Sequence, residues 1–66
     1  MPGIDYFIVP EGPKWAVRID EDSTPYETLL DAIEAAMDAA RGARSFGFPT
    51  HVFLHRAQGG WAAVCV

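Results

Sequence analysis

Apolar and polar positions divide the chain into two pairs of short apolar runs around one alanine-rich segment. Asp5-Tyr-Phe-Ile-Val-Pro10 is aromatic and β-branched, which predicts a strand. Pro10-Glu-Gly-Pro13 is turn punctuation. Trp15-Ala-Val-Arg-Ile-Asp20 alternates with period two, as a half-buried strand does. Trp15, Val17 and Ile19 share one side, and Trp15 is expected in the core. Ala16 and Arg18 share the other. The two runs predict a hairpin, and Glu21-Asp-Ser-Thr-Pro25 reads as a polar loop after it.

A helix follows, with two competing start signals. Thr24-Pro25-Tyr26-Glu27 is a capping box with proline at the first helical position, and Thr28-Leu29-Leu30-Asp31 is a second box one turn later. The Thr28 start is preferred, because Leu30, Ile33, Met37 and Ala40 then recur at helical spacing. Alanines at 32, 35, 36, 39, 40 and 43 favour helix and allow close approach to a sheet. The helix should stop near Gly42 or fray to Gly47, because Pro49 forbids much more.

Thr50–Arg56 and Trp61–Val66 predict two further strands. The turn between them decides which side chains share a face. A loop of Ala57-Gln58-Gly59, with Gly59 left-handed, opposes Leu54 to Ala62 and Val52 to Val64. Val52, Leu54, Ala62, Val64 and Val66 then make an apolar floor for the helix. His51, Phe53, His55, Trp61, Ala63 and Cys65 lie on the opposite face. A two-residue Gly59-Gly60 turn would instead place Trp61 with Leu54 and Val52. The three-residue loop is preferred because it gathers the aliphatic residues on one side. The expected fold is therefore α+β in the order ββαββ: a four-stranded antiparallel sheet with one helix on one face, in a single domain spanning 1–66.

Size changes this picture by requiring a staple. A chain of 66 residues buries only about 60% of its unfolded surface, and such scaffolds usually add a disulfide, a metal or a partner subunit. Cys65 is the only cysteine, which excludes an internal disulfide and a cysteine-cluster zinc site. A free thiol, no signal-peptide pattern and no membrane-length apolar run point to the cytoplasm.

The net charge of −4 is uneven. The first forty residues carry −7, and the last twenty-six carry +3 with no acid after Asp38. An acidic protein is repelled by a polyanion at long range, so nucleic acid is not the expected partner.

Phe7-Ile-Val-Pro10, Trp15-Ala-Val17, Thr28 followed by Asp31-Ala-Ile-Glu-Ala-Ala36, and His55-Arg-Ala-Gln-Gly59 together resemble domain of unknown function 2188. That family consists of short bacterial and phage proteins. The resemblance implies the ββαββ order and no activity or site residue. A second, weaker resemblance is to the HicB-type antitoxins, where a strand hairpin precedes a Thr-initiated helix. The chain lacks their Pro-Gly-Cys segment and has one predicted strand too few before the helix.

No catalytic, cofactor or metal site emerges. Glu27, Asp31, Glu34 and Asp38 form an acidic helical stripe, read as a solvated face in which Asp38 pairs with Arg41. His51 and His55 stand roughly 13 Å apart along a strand, too far to share a metal. The expectation is a non-enzymatic interaction module, homodimeric through an open face of Phe53, His55, Trp61, Ala63 and Cys65. The alternative is a nucleic-acid accessory protein using Phe53, Trp61, Arg18 and Arg56, because aromatics on an open sheet stack bases.

Overall fold

The computed structural model describes residues 3–64. The first hairpin pairs β1 (Ile4–Glu11) with β2 (Lys14–Ile19), and Gly12 takes the left-handed φ of 59° that the tight turn requires. Pro10 sits in β1 beyond its last pairing with the strand on its other side, so its missing N–H costs no ladder bond there.

The polar stretch expected to be a loop is a strand. Asp22–Tyr26 forms β3, antiparallel to β2, after a turn in which Asp20 takes a φ of 52°. Four of its five residues are exposed. An edge strand of this kind draws its pairing from the backbone and lacks the apolar alternation that marks a half-buried strand.

The helix α1 spans Leu29–Ser45. Thr28 is the N-cap, and its hydroxyl accepts the Asp31 N–H at 3.1 Å. Gly42 lies inside the helix. The end comes at Phe46, where the Gly47 N–H donates to the Arg44 carbonyl and the Phe48 N–H to the Ala43 carbonyl. That bond pair is a Schellman cap, with Gly47 at a φ of 90°. The buried stripe is Ala32, Ala36 and Ala40, flanked by Leu29 and Ile33. Of the expected stripe of Leu30, Ile33, Met37 and Ala40, Ala40 is buried, Ile33 packs beside the core and Met37 is half-buried, whereas Leu30 is 62% exposed.

Two strands follow, β4 (Thr50–His55) and β5 (Trp61–Val64). The sheet is five-stranded and mixed, in the order β3-β2-β1-β4-β5, with β1 and β4 parallel. This corrects both the expected four-stranded antiparallel sheet and the expected ββαββ order. The two errors have one cause. With two strands before the helix, the helix returns the chain so that the next strand runs against β1. A third strand reverses the helix, and β4 then runs with β1.

The helix packs on β1, β2, β3 and β4. Beneath it lies a core of Tyr6, Ile8, Val17 and Val52, with Ile8 fully buried. Burying such aliphatic side chains contributes about 1.5–3 kcal/mol each. Gly3 permits the close approach of the β1 and β4 starts, where the Ile4 N–H donates to the Pro49 carbonyl at 2.8 Å.

Candidate functional site

The second hairpin turns as the three-residue loop requires. The Gly59 N–H donates to the Arg56 carbonyl, the Arg56 N–H donates to the Gly60 carbonyl, and Gly59 has a φ of 92°. Leu54 opposes Ala62 and Val52 opposes Val64, on the helix side. Phe53 opposes Ala63 and His55 opposes Trp61, on the other side. Cys65 lies outside the described residues.

Strand alternation and the parallel register add β1 to that open face. Tyr6 and Ile8 point to the core, so Asp5, Phe7 and Val9 point away from it. Phe7 stands beside Phe53, with ring centroids 5.4 Å apart and planes 20° from parallel. Trp61 reaches across β4 and sets its edge against Phe7 at 5.1 Å and against His55 at 5.3 Å. His51 stacks on Phe53 at 6.0 Å and holds Asp5 through Nδ1 at 3.3 Å. Five rings thus form one connected patch across three strands. Such pairs contribute about 0.5–1.5 kcal/mol each beyond the area they bury.

Phe7 was not singled out in the sequence. Its signal was present: in Asp5–Val9 the alternation leaves Phe7 on the side opposite Tyr6 and Ile8. Which of those sides faces the helix depends on the register with β4. Arg18 pairs with Phe7 across the β1–β2 ladder and lies on the open face beside Ser23. Two shallow grooves share Val9, Arg18 and Trp61 in their walls. One continues to Glu11, whose carboxylate accepts from the Ser23 hydroxyl at 3.4 Å, and the other to Asp5 and Asp20. Arg56 sits at the turn of the second hairpin, whereas Arg18 lies on β2, two strands across from β4.

The acidic stripe lies on the far side of the molecule. Glu27, Asp31, Glu34 and Asp38 line a trough between α1 and β3 with Lys14 and Tyr26. Lys14 pairs with Glu27 at 3.2 Å, and Asp38 with Arg41. All four partners are largely exposed, so each pair contributes at most about 1 kcal/mol. Among the described residues, no group of three or more His, Cys, Asp or Glu side chains is placed to hold a metal ion. No helix of the described residues is long and apolar enough to cross a membrane.

Comparison with protein-family models, curated proteins and solved structures found no match for this chain.

Proposed function

We propose that the protein is a small non-enzymatic interaction module that pairs with a second copy through its open sheet face. The observation that carries this reading is the connected patch of His51, Phe53, Phe7, Trp61 and His55 on the side the helix leaves uncovered. Contiguous exposed apolar patches mark interaction surfaces, and a two-fold contact buries each patch against its copy. A standard interface takes about 800 Å² from each partner. That is a minor part of the 4530 Å² surface here, and a five-stranded face is roughly 20 Å wide at ~4.8 Å per strand. The reading includes a reducing, cytoplasmic setting for Cys65. Any relationship to domain of unknown function 2188 rests on the sequence segments alone.

Sedimentation of the wild type and of Phe53→Asp tests it. The wild type is expected to be a dimer. Phe53→Asp is expected to be a folded monomer by far-ultraviolet circular dichroism, because it places an unpaired charge in an apolar contact. Trp61→Asp, on a more exposed position, serves as a second variant if Phe53→Asp fails to fold. A wild-type monomer at high micromolar concentration defeats the reading.

One observation favours the nucleic-acid alternative: Arg18 stands next to Phe7 on the same face. Asp5 and Glu11 on that face weigh against it. Salt-dependent retention of a single-stranded oligonucleotide, weakened by Arg18→Ala, would favour the alternative.

A further inference from the structure

We infer, resting on the homodimer proposed above, that Arg18 of one copy pairs with Asp20 of the second, twice across the two-fold axis. Arg18 opposes Phe7 across the β1–β2 ladder, one strand spacing of about 4.8 Å away. Both grooves that reach Trp61 have Arg18 in their walls. A second copy that covers Phe7 and Trp61 therefore covers the Arg18 guanidinium as well. An apolar contact closed over an unpaired guanidinium is strongly unfavourable, so the contact needs a carboxylate there.

The open face supplies that carboxylate. Asp5, Glu11 and Asp20 line the grooves beside Arg18. Asp5 is held by His51 at 3.3 Å, and Glu11 accepts from the Ser23 hydroxyl at 3.4 Å. Asp20 follows the last residue of β2, at the left-handed turn with a φ of 52°. It lines the same groove wall as Phe7, Arg18 and Trp61. Among the described residues, the side chains of Arg18 and Asp20 have no hydrogen-bond or ion-pair partner, and they do not pair with each other. Both are exposed. The face thus carries a cation and an anion that its own chain leaves unmatched.

Two-fold symmetry matches them. Where residue i of one copy meets residue j of the other, j meets i as well. A single Arg18–Asp20 match therefore occurs twice and leaves neither charge unpaired. The aromatic row supplies the area of the contact. The two ion pairs set its register, because a shifted register covers Arg18 without its carboxylate.

Charge reversal followed by sedimentation tests this, with circular dichroism checking the fold. Arg18→Asp sets acid against acid, and Asp20→Lys sets base against base. Each should weaken self-association about a hundredfold or more. An equimolar mixture of the two variants should form a heterodimer, because every facing charge is then opposite. Should Asp20→Lys disturb the turn, Asp20→Asn takes its place, since asparagine tolerates the left-handed backbone. Its mixture with Arg18→Asp should again associate more tightly than either variant alone. A wild-type monomer defeats the homodimer reading and this pair with it. A dimeric wild type whose association survives either substitution, or whose two variants fail to associate on mixing, overturns the pair and leaves the homodimer standing.

Discussion

Phe7 and Phe53 stand side by side on the parallel β1–β4 pair, their ring centroids 5.4 Å apart. They are 46 positions apart in the chain, and Trp61 closes on Phe7 from a third strand. The rings of the open face therefore form one connected row, with Phe7 between Phe53 and Trp61.

Phe7→Ala should remove ring contacts to both Phe53 and Trp61, at a cost of about 1–3 kcal/mol. Urea unfolding followed by circular dichroism measures this. Sedimentation should show weakened self-association, and Val9→Ala on the same strand should change it less. Equal effects of the two variants would deny Phe7 that linking place in the row.

The buried helix face can be tested with one pair of substitutions. Ala36 is fully buried against the sheet, so Ala36→Leu should cost about 1–3 kcal/mol through overpacking. Leu30 is 62% exposed, and Leu30→Ala should stay within about 0.5 kcal/mol. Thermal melts of the two variants should differ in that order. The reverse order would restore Leu30 to the buried stripe.

Thr28→Ala should lower stability by about 1 kcal/mol, because it removes the acceptor of the Asp31 N–H. Thr24→Ala should have little effect, because Thr24 is an exposed residue of β3. Chemical denaturation of the pair distinguishes the two capping boxes directly.

Gly3→Ala should destabilise the chain by roughly 1–3 kcal/mol. A Cβ at Gly3 would meet the Pro49 carbonyl oxygen at 2.7 Å, beside the bond from Ile4 to that same oxygen. Gly42→Ala, in an open helical position, should stabilise by up to about 1 kcal/mol. Melting temperatures should move in opposite directions.

Local chemistry was legible where it was strong. The Thr28 cap, the alternation of Trp15, Val17 and Ile19, and the left-handed Gly59 are each set by neighbours within a few residues. The second hairpin could be oriented from its own residues, because of the two possible turns only the three-residue loop gathers Val52, Leu54, Ala62 and Val64 on one face. Phe53, His55, Trp61 and Ala63 were thereby placed on the correct face.

β3 was not legible, because its pairing comes from backbone groups that Asp22-Ser-Thr-Pro25 does not advertise in its side chains. Missing it inverted the expected direction of β4 and hid the partnership of Phe7 with Phe53. The helix stripe also depended on tertiary packing: small alanines let α1 lie close to the sheet, and that contact outweighed the larger Leu30. The sequence by itself determined turns, caps and the face of the last hairpin, since those are governed by interactions over a few residues. Only the tertiary structure decided strand direction, the seating of the helix and the aromatic patch, since these depend on backbone pairing between segments far apart in the chain.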